Sequence, residues 1–320
     1  MNKVTLGNIA VSALCYGTDL IGSRISEDDS HALLDVFADH GGTFIDTGNF
    51  YASWYPGCVG GESESTIGRW MAARGNRSEI VISTKLGFDY PGCDGGLSAA
   101  EITRECEKSL RRMQTDHIDV YYAHRDDFDT PLEETMEAFY GLVQAGKVRV
   151  LGASNLWLWR VAEANMLSSL RGFTPYSVIE QRYTYFRPRH GADFGPQIFI
   201  TEDMKRFCAH HGITLIAYSI LLQGAYTRAD RPVPAQFAGP EADERMAALL
   251  SVAEETGATP NQVIIAWMRQ SNPPVLPIIA GSRKEQILEN IGALRITLTD
   301  AQMERLTRVG DPDVKQAWLR

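Results

Sequence analysis

Ile80-Val81-Ile82-Ser83-Thr84-Lys85 is the stretch on which the fold turns. Its apolar half is β-branched and too short for a helix, so it reads as a strand covered on both faces. Outward from it the same pattern recurs. Ala13–Gly17, Thr43–Thr47, Ile118–His124, Val148–Ser154, Val178–Tyr183, Ile213–Ser219 and Val275–Ala280 are the other candidate strands. Helical periodicity fills the intervals: Glu27–His40 before Gly41-Gly42, Ala99–Met113, Leu132–Ala145 before Gly146, and Trp157–Leu170 near Gly172. Thr259-Pro260 supplies an N-cap and a first-turn proline for a helix through Val263–Met268. Strands alternating with helices in this way imply a parallel sheet with helical crossovers.

An open doubly wound sheet would show a glycine fingerprint after its first strand, and Gly17-Thr18-Asp19-Leu20-Ile21-Gly22 is not GxGxxG. Length alone, at 320 residues, would suggest two domains, but an α/β barrel uses about 250 residues for one. No Pro/Ser-rich linker divides the chain. The expected fold is therefore α/β, a (β/α)8 TIM barrel forming a single domain over residues 1–320. Val4–Ser12, with Gly7-Asn8 between apolar residues, predicts a short N-terminal hairpin closing one barrel end.

The composition, 44% hydrophobic and 22% charged, is that of a globular chain and excludes wholesale disorder. A net charge of −9 argues against nucleic acid as a partner, because phosphate backbones need clustered Lys and Arg. No run reaches the roughly 18 apolar residues of a membrane span, and the N-terminus has no signal-peptide core. Cys15, Cys58, Cys93, Cys106 and Cys208 are scattered without metal-ligand spacing, so they read as reduced thiols and no metal is expected. The chain reads as cytoplasmic.

In such barrels the working residues stand at the carboxyl ends of strands. Those positions hold Asp46, with Tyr51 five residues on, then Lys85 and His124. Singly, each has an ordinary reading. An Asp after a strand caps a turn, a loop Tyr packs, and a buried His is satisfied by a hydrogen bond. A Lys ending an apolar strand is harder to dismiss, because an unpaired buried ammonium is costly. Acid, phenol, amine and imidazole at successive strand ends make one site.

The ordered set Gly42–Thr47 with Tyr51, Gly61-Glu62-Ser63-Glu64 before Ile67-Gly68, Ser83-Thr84-Lys85, Asp119–His124, Gly152–Asn155 and Ala217-Tyr218-Ser219 resembles the aldo-keto reductase superfamily, in its bacterial NADPH-dependent form. The resemblance runs from about Leu6 to Asn290. It implies a nicotinamide cofactor lying extended across the barrel mouth. It also implies a catalytic tetrad of Asp46, Tyr51, Lys85 and His124. A free phenol, with a pKa of about 10, is a weak acid at neutral pH. Lys85, held by Asp46, is expected to lower that value, so that Tyr51 donates the proton in reduction and accepts it in oxidation. His124 is expected to orient the substrate oxygen.

The resemblance further implies that Thr18 and Asp46 face the cofactor, that Ser154 and Asn155 hold its carboxamide, and that Tyr218, followed by Ser219, stacks on the nicotinamide. The carboxamide-binding amide is Gln181 when aligned from the strand start and Glu180 when aligned back from Tyr183. Gln181 is preferred because an amide offers donor and acceptor without charge. Gly281, Ser282, Arg283, Gln286 and Asn290 would take the adenosine end. Arg283 would pair with the 2′-phosphate, favouring NADPH, with NADH still possible.

Long loops are expected at the mouth. Ala52–Gly60 carries Trp54, and Gly87–Gly96 carries Phe88, both expected at the substrate. Aromatics beside Arg125, Asp126, Asp127, Arg187 and Arg189 suggest a pocket for a polar ring-shaped carbonyl compound. The expected activity is reduction of an aldehyde or ketone to an alcohol, or the reverse. Two alternatives stand beside it. One is a Schiff-base lyase or aldolase using Lys85 as nucleophile, and the other a non-catalytic cofactor-sensing accessory subunit.

Overall fold

The computed structural model describes residues 1–309; residues 310–320, the end of the expected domain, lie outside the described residues. Eight parallel strands close into a barrel: β3 (Cys15–Gly17), β4 (Phe44–Asp46), β5 (Val81–Leu86), β6 (Ile118–Ala123), β7 (Val148–Ser154), β8 (Tyr176–Arg182), β9 (Thr214–Tyr218) and β10 (Leu276–Ile279), which pairs back onto β3. The hairpin β1 (Lys3–Leu6) and β2 (Ile9–Ser12) precedes them, turning at Gly7-Asn8 as expected. Of the helices among the described residues, those beginning at Glu27, Ala99, Leu132, Leu158 and Pro260 fall where periodicity put them. Glu27–Asp39 is α1, Glu62–Arg74 α2, Ala99–Met113 α3, Leu132–Gln144 α4 and Leu158–Arg171 α5. Glu202–His211 is α6, Pro240–Thr256 α7, Pro260–Gln270 α8, Lys284–Gly292 α9 and Asp300–Arg308 α10. Thr259 and Gln262 form a reciprocal capping box at the start of α8, which is why that helix begins at its proline.

Strand alternation sorts the side chains into two cores. Ile45, Ile82, Tyr121, Ile179, Leu215 and Ile279 point outward and pack under the helices. Phe44, Val81, Val120, Val150, Val178, Ile216 and Leu276 point inward and make an apolar floor. The hairpin residues Leu6, Ile9 and Val11 are buried against that floor and seal the amino-terminal end of the barrel. Leu6→Ala should therefore lower unfolding free energy by about 2–5 kcal/mol in a denaturant melt, and a change below about 0.5 kcal/mol would contradict the sealing role.

Going up the same inward face, two and four residues on, the side chains become Asp46, Ser83, Lys85, Tyr122, Ser154, Glu180 and Tyr218. The apolar floor thus carries a polar mouth. Gly152 makes room there, since a Cβ at that position would lie 2.3 Å from the Tyr122 ring.

Candidate active site

Lys85 is fully buried at the barrel mouth. Its ammonium donates to an Asp46 carboxylate oxygen, to the carbonyl of Thr47 at 2.9 Å and to the Tyr51 hydroxyl at 3.0 Å. Asp46 is held in turn by Ser83, whose hydroxyl donates to Oδ1 at 2.6 Å. Tyr51 comes from the segment after β4, tied to β5 by Thr47 N to Ser83 O at 2.9 Å and Asn49 N to Lys85 O at 3.1 Å. Gly48 lets the Tyr51 ring lie close to the backbone, because a Cβ there would meet the ring at 3.0 Å. His124 follows β6, and its ring lies 5.9 Å from that of Tyr51. All four residues expected at one mouth are brought together.

Their electrostatics depart from expectation in one respect. Burial alone would push Lys85 down, but Asp46 and Glu180 beside it hold the amine well above its ordinary range. Tyr51 is pushed well up by burial; Lys85 lowers it, yet Asp46 and Glu180 raise it again, so the net direction is upward. The expected acidification by Lys85 is present but outweighed. Desolvation of the phenolate is the larger effect, and the neighbouring Asp46 and Glu180 carboxyls add to it. Tyr51 consequently keeps its proton in the resting protein. His124 is pushed well below the usual imidazole range by burial and then by Lys85, so it is neutral, and its Nδ1 has no hydrogen-bond partner among the described residues.

Of the expected cofactor residues, Tyr218 and Asn155 meet: the phenol donates to Asn155 Oδ1 at 2.6 Å, and Asn155 Nδ2 donates to the carbonyl of His124 at 3.0 Å. Asn155 and Ser219, each just past a strand end, both have positive φ, at 58°. Alternation turns Gln181 to the side of β8 opposite Glu180. Its Oε1 accepts from Asn155 N at 2.7 Å and its Nε2 donates to Leu156 O at 2.8 Å. Glu180, not Gln181, is the β8 residue that reaches Lys85, 3.5 Å away. Thr18 is buried against α2: its hydroxyl donates to the Asp46 carbonyl at 2.8 Å and lies 2.8 Å from Ser63 Oγ.

At the far side of the mouth, β10 leads through Ala280-Gly281-Ser282-Arg283 into α9. Tyr16 donates to Gly281 O at 3.1 Å and Asn290 to Ala280 O at 3.2 Å, while Gln286 accepts from Ser282 N at 2.9 Å. These bonds brace the turn, and Ser282 and Arg283 are exposed on it.

The mouth wall beside His124 is aromatic. Phe50 stacks on Phe88 at 4.7 Å, and both present rings to His124, at 5.1 and 4.9 Å. Trp54 packs on Phe50 at 5.2 Å and is 47% exposed. Arg125 lies over Phe88 at 5.3 Å. Three of the other polar residues expected near the pocket are engaged elsewhere. Asp126 pairs with Arg160 of α5, Asp127 caps Leu97 and Thr130, and Arg187 reaches Glu241 and the carbonyl of Thr307. Phe50 escaped the sequence reading because an aromatic beside Tyr51 carries no chemistry of its own.

The donors present suit a nicotinamide dinucleotide: amide and hydroxyl groups at Ser154 and Asn155, a half-buried phenol ring at Tyr218, and exposed backbone with a cation at the α9 N-terminus. Fold and site together define an oxidoreductase of the barrel type. The model of the aldo/keto reductase family matches residues 13–311, and the chain belongs to that family. Among curated proteins it is similar to an aryl-alcohol dehydrogenase of Pestalotiopsis microspora, 30% identical over 96% of this chain and 81% of the relative. It is also similar to a norsolorinic acid reductase of Emericella nidulans, at 32% over 93% and 78%. A putative aryl-alcohol dehydrogenase of Saccharomyces cerevisiae is 32% identical over 96% and 85%. The protein is thus an oxidoreductase of small carbonyl compounds or alcohols, in a family that generally uses a nicotinamide cofactor. No helix among the described residues is long and apolar enough to cross a membrane.

Proposed function

We propose that the whole chain is one barrel domain that reduces aromatic aldehydes or ketones with NADPH, Tyr51 donating the proton. The observation that supports this most is the 3.0 Å contact between Lys85 Nζ and Tyr51 Oη beside the Asp46 carboxylate. Bound NADPH supplies the hydride. Tyr51 Oη holds the proton that the developing alkoxide takes, and Lys85 stabilises the phenolate left behind. Neutral His124 donates one hydrogen bond to the carbonyl oxygen and fixes its direction. Ser154 and Asn155 hold the carboxamide, with Gln181 fixing the turn that carries them, and Tyr218 flanks the ring. Phe50, Trp54 and Phe88 select planar substrates, a reading in line with the names of the aryl-alcohol relatives.

The Schiff-base alternative is disfavoured because the Lys85 amine is held in its charged form, which is not nucleophilic. The reading is tested by following NADPH consumption with matched aromatic and aliphatic aldehydes. Consumption with the aromatic series is expected; none with either series would refute it and favour the accessory-subunit alternative.

Arg283 is exposed, without an ion-pair partner among the described residues, and is assigned to the 2′-phosphate. A charge-assisted contact of this kind is worth about 1.5–3 kcal/mol, so Arg283→Ala should weaken NADPH relative to NADH by roughly 10- to 100-fold. Dissociation constants for both cofactors measure this, and an unchanged ratio would remove Arg283 from the site.

A further inference from the structure

Glu180 has no task in the scheme above. It stands on β8 two residues beyond Val178, on the inward face, and is 2% exposed. Its Oε1 lies 3.5 Å from Lys85 Nζ, and its Oε2 has no hydrogen-bond partner among the described residues. The ammonium already gives its three protons to Asp46, Thr47 O and Tyr51, so Glu180 is left outside that set. Two carboxylates against one ammonium would leave a net negative charge in a dry interior, which is costly.

Among the described residues, the neighbours offer no second cation. The titratable groups facing Glu180 are Cys15 of β3, Asp46 of β4, Lys85 of β5, Tyr122 of β6, Tyr218 of β9 and Tyr51. Ser154 is its register partner on β7. Burial first, and the Asp46 charge second, push Glu180 up to about 8, against the pull of Lys85. At neutral pH the arrangement is therefore one ion pair, Asp46 with Lys85, beside a neutral acid.

We propose that Glu180 is a positioning residue that gates Tyr51 through Lys85. While its carboxyl keeps a proton, the Lys85 charge serves Asp46 and Tyr51. When the carboxyl ionises, it draws on the same ammonium, and Tyr51 becomes a poorer acid. The direction agrees with the effect of the Glu180 charge on Tyr51, which is to raise it. The proposal rests on the reading of Tyr51 as proton donor.

The test compares wild type with Glu180→Gln, which keeps shape and removes the titration. NADPH-driven reduction of benzaldehyde is measured across pH. Wild-type kcat/KM is expected to fall above the Glu180 titration, by up to about tenfold per pH unit, and the falling limb is expected to move alkaline or vanish in the variant. Superimposable profiles overturn the proposal. Stability supplies a second readout. A carboxyl raised from 4.5 to about 8 binds a proton in the folded state that the unfolded chain has released, so it destabilises increasingly as pH rises through that window. Glu180→Gln should gain on wild type over the same range, and a constant offset counts against the proposal.

Should the variant not fold, the wild type alone decides. An infrared band of a protonated buried carboxyl must disappear as pH rises in step with the fall in activity, and its absence at neutral pH overturns the assignment. A wild type that consumes no NADPH with any carbonyl refutes the function itself, and that failure is visible before any variant is made.

Discussion

Tyr51→Phe is expected to lower kcat for carbonyl reduction by about two to four orders of magnitude, the range for a positioned general acid, while cofactor affinity changes by less than about twofold. The substitution removes one oxygen. Ring contacts with Phe50, Trp54 and His124 depend on the ring and persist. Lys85 keeps Asp46 and Thr47 O as acceptors, so its charge remains anchored. What disappears is the proton donor nearest the ammonium. The resting phenol is held well above its ordinary range, so its proton stays in place until an alkoxide of higher basicity forms beside it. Fluorescence titration with NADPH and single-turnover reduction measure the two quantities separately. Turnover within about tenfold of wild type would show that water or His124 delivers the proton instead. Loss of cofactor binding alongside turnover would assign Tyr51 to the binding surface.

Much of this site is legible in sequence because a parallel barrel leaves few choices. Short β-branched runs must be strands, their carboxyl ends must share one rim, and Asp46, Lys85 and His124 stand at three of those ends. The eight strands and the closing hairpin appear where residue type and turn chemistry put them. The pairing of partners is what sequence withholds. Asp126, Asp127 and Arg187 look like pocket residues until α5, Leu97 and α7 take them up. Chemical suitability favoured Gln181 over Glu180, whereas strand alternation decides which of the two reaches Lys85. Val178 belongs to the inward floor and Ile179 to the outward core, so Glu180 faces in. That parity was readable. The consequence for Tyr51 was not, because it depends on a 3.5 Å approach between strands far apart in sequence.

Lys85→Met is expected to be the most destabilising single change at the mouth, lowering unfolding free energy by about 3–5 kcal/mol at neutral pH, as for a buried ion pair stripped of one partner. It leaves two buried carboxyls with no cation. To remain folded the pair must take up protons that the unfolded chain does not hold at neutral pH. The deficit relative to wild type should therefore shrink as pH falls through the ordinary carboxylate range and grow as pH rises. Asp46→Asn should behave differently. Lys85 then retains Glu180 at 3.5 Å, and Glu180, freed from the Asp46 charge that helps to raise it, ionises more readily and becomes the counter-ion. The loss should be smaller, about 1–2 kcal/mol, and should shrink as pH rises towards about 8, because only wild type then carries a raised Glu180 whose protonated form is lost. Denaturant melts of both variants at acid and neutral pH test this asymmetry. Equal losses, or a Lys85→Met deficit that ignores pH, would mean that the second carboxyl does not share the ammonium and that Glu180 is only a packing residue.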